Sequence, residues 1–308
     1  MLRGRGGGAL ALALGATGIG FAPIFVRLSE VGPAATGFYR IALAQPVVWW
    51  ILSRQSSKAE SKPAQKADLW FAALAGFCFA VDLAVWHWSI RLTTIANSTL
   101  LTNLSPFFVT LGAWIFFRER VTARLLTGMV VAFAGGFLLV AESFNLDRHF
   151  LIGDFLAVTT AVFYSSYLLA VKRLRAGRSV WWVMAWTGVF TAPILWIVGY
   201  LSNEVMLPVT LKGWAVLLGL ALISHTCGQG LIAYGLAHIS AALSSVLLMW
   251  QPVVAALLAW WLLHEPLTMW RALGGLIITA GIVAGTWKSK PASAEEKREP
   301  GSPVRANC

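Results

Sequence analysis

The chain has 308 residues, of which 58% are hydrophobic and only 12% charged, and its formal net charge is +11. Soluble domains are about 25% charged and about 45–50% apolar, so the composition excludes an ordinary soluble domain and indicates an integral membrane protein. The three cysteines provide no disulfide framework, and no Cys/His spacing typical of zinc is present.

Ten apolar runs of about 20 residues, the length that crosses roughly 30 Å of hydrocarbon, predict ten transmembrane helices. The first run follows Arg3 and Arg5 like a signal peptide, but it is long enough to span and no A-x-A-like cleavage site ends it. We expect helices at about 8–28, 34–53, 69–89, 94–115, 123–142, 151–171, 181–201, 213–236, 240–262 and 268–287. The tail that follows is rich in Lys, Glu, Pro and Ser, which predicts disorder.

The basic residues lie mainly on one side of this arrangement. If the N-terminus is cytoplasmic, the segments on the cytoplasmic side hold 18 Lys and Arg residues and those on the opposite side hold five. Such a bias predicts that both termini are cytoplasmic. The positive net charge therefore indicates topology and attraction to the lipid bilayer, and not binding to nucleic acid.

Residue types recur at an interval of 146 positions. A first set in the order Pro, Glu, Thr, Gly, Gly is followed by a second with identical spacing: Pro106, Glu119, Thr122, Gly128 and Gly135, then Pro252, Glu265, Thr268, Gly274 and Gly281. Because five spans per copy is an odd number, the second copy must be inverted. The sequence predicts an all-α integral membrane fold of two inverted five-helix repeats, 1–142 and 143–287, and a cytoplasmic tail, 288–308.

The pattern Pro-x12-Glu-x2-Thr-x5-Gly-x6-Gly, present twice in a ten-span chain, resembles the drug/metabolite transporter superfamily and, more narrowly, its EamA family. Arg40 matches the arginine of the family's second span, and the resemblance covers 8–287. It implies a secondary transporter of the bacterial inner membrane, without a cofactor, that works by alternating access. The chain is most similar to exporters of neutral and aromatic amino acids, with drug or other metabolite export as the alternative.

Two charges at membrane depth are candidates for a transport role. Arg40 and Asp82 each lie about seven residues, or roughly 10 Å, from the outer ends of the second and third spans. Their matching depth predicts an ion pair. The pair could be a structural staple, or Asp82 could bind a proton or a substrate ammonium group.

Polar and aromatic residues in four other spans extend the candidate site. His225 and Gln229 share a face of the eighth span near its middle, either bonded to a neighbouring helix or in contact with substrate. Tyr164, Ser165 and Tyr167 in the middle of the sixth span, with Trp250 opposite, predict an aromatic pocket with hydroxyl groups. The predicted substrate-binding residues are Asp82, Asn103, Tyr164, Ser165, His225, Gln229, Trp250 and Gln251.

The repeated prolines and glutamates are predicted to have different roles. Pro106 and Pro252 should kink the fourth and ninth spans near the middle of the membrane, either for packing or for gating. Glu119 and Glu265 precede helices and should stabilise helix starts and loops. Asp82 is the only acid deep in a predicted span, so we expect no catalytic or metal site and consider an intramembrane enzyme disfavoured.

Overall fold

The structure, a computed structural model, describes residues 4–55, 65–93, 95–141, 150–264 and 266–286. Every regular element within these ranges is helical. The helices of the first half are α1 (Arg5–Gly20), α2 (Ala22–Leu28), α3 (Pro33–Ala42), α4 (Gln45–Arg54), α5 (Lys66–Leu92), α6 (Ile95–Thr102), α7 (Ser105–Phe117) and α8 (Ala123–Val140). Those of the second are α9 (Leu151–Arg175), α10 (Val180–Leu201), α11 (Leu211–Gly219), the π-helical segment (Leu220–Gln229), α12 (Gly230–Leu236), α13 (Ala241–Leu248), α14 (Trp250–Leu263) and α15 (Met269–Thr286).

Nine of the ten predicted spans correspond, among the described residues, to helical segments long and apolar enough to cross a membrane. The remaining predicted span, the second, is divided into α3 and α4 and carries Arg40 and Gln45 within its length. The helical architecture of two five-span repeats is therefore confirmed. The predicted tail, 288–308, lies outside the described residues.

Prolines coincide with the interruptions of four spans. The helices α2, α4, α7 and α14 each begin within two residues of a proline, namely Pro23, Pro46, Pro106 and Pro252. Proline has no amide to donate and clashes with the carbonyl group four residues earlier, so a helix that meets one tends to end and restart. Pro193 shows that this outcome is not automatic, since it lies inside the continuous helix α10.

The packing of α8 against α15 shows how the two repeats are related. A Cβ atom added at Gly128 would lie 2.7 Å from the carbonyl oxygen of Gly281, and one added at Gly135 would lie 2.7 Å from that of Gly274. The shift of 146 positions converts one contact into the other. As residue numbers rise along α8, those of the residues they contact in α15 fall. The two helices are therefore antiparallel, and the second repeat is inverted.

The ends of α7 and α14 carry the same internal symmetry. Arg118 and His264 are 146 positions apart, and both adopt the left-handed backbone conformation, with φ values of 52° and 54°. Few non-glycine residues adopt positive φ, so its recurrence at equivalent positions indicates that the two helix ends are built alike.

Glu119 corrects one prediction. Its carboxylate accepts hydrogen bonds from the backbone N–H groups of Ala241 at 2.9 Å and Ala242 at 3.2 Å, at the start of α13 in the other repeat. The start of α8, which we expected Glu119 to stabilise, is capped by the Thr122 hydroxyl, which accepts from the Leu125 N–H at 3.2 Å. Because the Thr122 hydroxyl caps α8, the Glu119 carboxylate is available to cap α13 of the other repeat. Glu265, its counterpart, lies outside the described residues.

Other acids also stabilise helix starts through contacts distant in sequence. The Glu204 carboxylate accepts from the Ala35 N–H at 3.0 Å, at the start of α3. Glu30 accepts from the N–H groups of Val209 and Thr210, each at 3.0 Å, and from the Thr210 hydroxyl. That hydroxyl is the main reason why the pKa of Glu30 is lowered from its usual value of 4.5. These bonds complement the positive ends of helix dipoles.

Candidate functional site

Most of the predicted site residues meet in one buried group that draws on helices of both repeats. We call the following set the central cluster: Arg40 of α3, Phe79 and Asp82 of α5, Tyr164 and Tyr167 of α9, His225 and Gln229 of the π-helical segment, and Gln251 of α14. Five of the polar or charged side chains in this cluster are less than 7% exposed: Arg40, Asp82, Tyr167, His225 and Gln229.

Phe79 is the hub of the aromatic part of the cluster. Its ring stacks on Tyr167 with a centroid distance of 4.4 Å and on His225 at 6.0 Å. The Arg40 guanidinium lies over the same ring, with Cζ 5.7 Å from its centroid. Tyr164 extends the stack to the other side of Tyr167, at 6.3 Å. A buried cation is thus held partly by the electron-rich face of an aromatic ring.

Arg40 and Asp82 do not form the direct ion pair that we predicted. They are close enough to interact electrostatically, but no nitrogen–oxygen contact of 4.0 Å or less joins them. The Arg40 Nε atom has no hydrogen-bond partner in the described part of the chain. In this conformation the guanidinium and the carboxyl group are therefore neighbours within the cluster without direct contact.

Asp82 differs from every other acid in the described ranges. Glu30, Glu119 and Glu204 accept backbone hydrogen bonds at helix starts, as shown above. Asp68 is paired with Arg178, and Asp154 accepts from the Thr93 hydroxyl at 2.6 Å and the Asn97 amide at 3.0 Å. Asp82 accepts no hydrogen bond from a described residue. A buried carboxylate without donors is costly at membrane depth unless another group approaches it, so it is a candidate for function.

The π-helical segment places His225 and Gln229 in the cluster. Gln229 donates from Nε2 to the Tyr167 hydroxyl at 3.0 Å, whereas neither ring nitrogen of His225 has a hydrogen-bond partner among the described residues. Within this segment the Thr226 hydroxyl also donates to the Ala221 carbonyl group five residues earlier, at 2.9 Å. π-Helical turns are rare in proteins, and those that occur often lie at functional sites.

The remaining candidates border the cluster at the helix interruptions. Trp250 donates from Nε1 to the Thr17 hydroxyl at 3.2 Å, which links α14 to α1. The Ser165 hydroxyl lies 2.9 Å from the carbonyl oxygen of Ser105, beside the break between α6 and α7. Gln251 lies beside the Tyr164 hydroxyl, but its Nε2 atom has no geometric hydrogen-bond partner in the described ranges.

Asn103 and the two prolines lie at breaks and do not join the cluster. Asn103 is half-buried between α6 and α7 and makes no side-chain hydrogen bond with described residues. Pro106 and Pro252 lie in the first turns of the helices that follow the breaks. A role for Asn103 in binding and a role for the prolines in gating remain predictions.

Sequence reasoning missed Phe79, although the sequence contained two signals for it. Phe79 precedes Asp82 by three residues, so both lie on one face of α5. It is also 146 positions before His225, so the two stacked rings are equivalent residues of the two repeats. The aromatic hub therefore lies where the internal symmetry brings the copies together.

No set of three or more His, Cys, Asp or Glu residues in the described ranges could hold a metal ion. The chemistry of the cluster is instead that of recognition. It offers one cation, one anion, stacked rings, and the partnerless polar atoms of His225 and Gln251.

Comparison with known proteins places this architecture among transporters. The model of the EamA-like transporter family matches residues 6–141 and 151–286. An uncharacterized transporter of Archaeoglobus fulgidus is 25% identical over 86% of the chain and 92% of its own length. The pseudopaline exporter CntI of Pseudomonas aeruginosa PAO1 is 24% identical over 80% of the chain and 84% of its own length. A crystal structure with 19% identity has a TM-score of 0.80 and covers 92% of this chain and 97% of that one, which supports the fold.

Proposed function

Because the chain belongs to the EamA-like transporter family, we propose that it is a secondary transporter that exports amino acids, including aromatic ones, across the bacterial inner membrane. Family membership makes the protein a membrane transporter, and the resemblance to an exporter supports the direction of transport. The amino-acid substrate is supported by the chemistry of the central cluster.

The observation that carries the proposal is the separation of Arg40 from Asp82. An amino acid is a zwitterion, with a carboxylate that a guanidinium binds strongly and an ammonium group that a carboxylate binds. Two buried, opposite charges without direct contact offer one partner for each end of such a molecule. A substrate that carries only phosphates would instead require several inward-facing cations.

The aromatic hub supports the preference for aromatic side chains. Phe79, Tyr164 and Tyr167 form a continuous stack, and a planar side chain can add an offset-stacked or edge-to-face contact to it. Such contacts contribute about 0.5–1.5 kcal/mol beyond the burial of apolar area. Zwitterion recognition would then be common to all substrates, and selectivity would depend on the stack.

Alternating access is supported by the position of the cluster between the inverted repeats. Its residues come from α3 and α5 of the first repeat and from α9, the π-helical segment and α14 of the second. Movement of one repeat relative to the other would therefore change which side reaches the cluster. The charge bias supports cytoplasmic termini, and a proton is the candidate coupling ion because Asp82 can be protonated.

The test is transport by purified protein in proteoliposomes, with a panel of labelled amino acids, in the presence and absence of a pH gradient. We expect flux of aromatic and large neutral amino acids. His225→Asn should reduce it, whereas the matched control His264→Asn, at an exposed helix end, should leave it unchanged. No flux of any amino acid would contradict the proposed substrate and leave export of a drug or another metabolite. Flux that does not respond to the gradient would indicate facilitated transport.

A further inference from the structure

A groove between α7 and α8 lies apart from the central cluster. On α7 it is lined by Phe107, Thr110, Leu111 and Trp114, whose spacing of three, four and seven residues places them on one helix face. Its volume is about 270 Å³, just below the range of about 300–1,000 Å³ found for pockets that enclose a drug-sized ligand. The groove thus runs along the helix and has room for a segment of a long, narrow ligand.

The walls of the groove are apolar. Leu126 and Met129 of α8 and Val121 of the preceding loop complete the lining. Its one hydroxyl, that of Thr110, already contacts the Met129 sulfur atom at 3.4 Å. Trp114 is 60% exposed, so the groove opens to the surroundings of the protein, which in a membrane are lipid chains. The walls therefore suit a hydrocarbon chain.

Three arginines lie in or beside the loop between α7 and α8, next in sequence to one end of the groove. Arg118, Arg120 and Arg124 are exposed there, and Val121 of the lining lies among them in sequence. Arg118 and Arg120 pair with no described residue. The nearby acid, Glu119, does not neutralise them through contact, because its carboxylate is bonded to the start of α13. Arg124 uses its Nε atom to bind the Ala284 carbonyl group at 2.8 Å.

The second repeat provides an internal comparison. The positions equivalent to the three arginines carry His264, Pro266 and Trp270. The two repeats share helix geometry at this point, including the left-handed residues at the ends of α7 and α14. The three arginines near the α7–α8 loop are therefore an addition to the first repeat and not a requirement of the fold.

We propose that the α7–α8 groove binds an anionic phospholipid, with an acyl chain along the helices and the headgroup phosphate on Arg118 and Arg120. The charge bias of the chain places this end on the cytoplasmic side, where anionic headgroups are concentrated. A second copy of the protein is disfavoured as the occupant, because a twofold contact through this groove would bring like charges together. The lipid satisfies both the apolar walls and the cations.

The experiment measures lipid binding to the purified protein in two ways: in detergent-free nanodiscs made of a zwitterionic lipid, and by native mass spectrometry. Added phosphatidylglycerol should bind more tightly than phosphatidylcholine. Arg118→Gln combined with Arg120→Gln should weaken phosphatidylglycerol binding by about 25-fold, since each arginine near anionic lipid contributes about fivefold. Lys212→Gln combined with Arg271→Gln removes the same charge from the predicted opposite side and should leave binding unchanged.

A second variant tests the groove itself. Trp114→Glu places a charge in the apolar wall and should reduce phosphatidylglycerol binding, whereas Trp260→Glu at the equivalent position of the other repeat should not. Equal binding of the two lipids, or an equal loss in both arginine and control variants, would overturn the proposal. A change in oligomeric state with Trp114→Glu, without loss of lipid binding, would assign the groove to a protein interface and also overturn it.

Discussion

Removal of the two central charges, singly and together, should separate a transport role from a structural one. Arg40→Gln and Asp82→Asn each leave an opposite charge buried alone. At 4 Å and an effective dielectric constant of about 20, two unit charges interact by about 4 kcal/mol, and at twice that distance by about 2 kcal/mol. Since the two groups are not within 4.0 Å, we expect a coupling energy of about 1–4 kcal/mol. The double variant should be more stable than the sum of the single changes predicts.

The assay combines two readouts on the same four proteins. Free energies of unfolding in mixed micelles give the coupling energy, and flux in proteoliposomes gives transport. We expect the double variant to recover stability but not transport, because removing both charges relieves the buried imbalance and also removes both ligands of a zwitterion. Recovery of transport together with stability would show that the charges are only a structural staple. Strictly additive stability effects would refute the electrostatic coupling itself.

Four further changes test individual parts of the structure. Glu119→Gln weakens the charge-assisted cap of α13 and should lower the free energy of unfolding by about 1–2 kcal/mol in denaturant titration. Gly135→Val forces a Cβ atom to 2.6 Å from backbone of α15 and should cost about 1–3 kcal/mol or more, whereas Gly136→Val, with nothing within 4 Å, is the matched control. Deletion of Cys227 should convert the π-helical turn to an α-helical one and lower transport at least about tenfold. The control Cys227→Ser should leave transport unchanged, and equal flux through the deletion variant and this control would contradict the prediction. The lowered pKa of Glu30 means that its contribution to stability is present above pH 4.5 and is lost as the pH falls below that value, so the difference in melting temperature between wild type and Glu30→Gln should shrink in acid.

The membrane architecture could be predicted because its causes are local or periodic in the sequence. Apolar run length gives the spans, and five spans per repeat with a one-sided charge bias require an inversion. The depth of Asp82 and His225 also follows from counting along helices. These quantities need no knowledge of which helices touch.

The contacts that were missed depend on tertiary structure. Glu119 meets the start of α13, which lies more than 120 residues further along the chain, and nothing local distinguishes that helix from the nearer α8. The π-helical segment around His225 packs closely on α1, since a Cβ atom at Gly15 would lie 2.8 Å from the Gly228 carbonyl oxygen, and this contact is not visible in the local sequence. The position of the Arg40 guanidinium over the Phe79 ring likewise depends on how α3 packs against α5.

Recognition of both ends of a zwitterion is the central claim, and equilibrium binding of substrate derivatives tests it most directly. Binding of phenylalanine to the purified protein is compared with binding of its methyl ester, which lacks the carboxylate, and of its N-acetyl form, which lacks the ammonium group. We predict that both derivatives bind at least about tenfold more weakly, since a hydrogen bond to a charged group contributes about 1.5–3 kcal/mol. Asp82→Asn should then reduce the preference for phenylalanine over the N-acetyl form, and Arg40→Gln the preference over the ester. Equal binding of all three compounds would contradict the account.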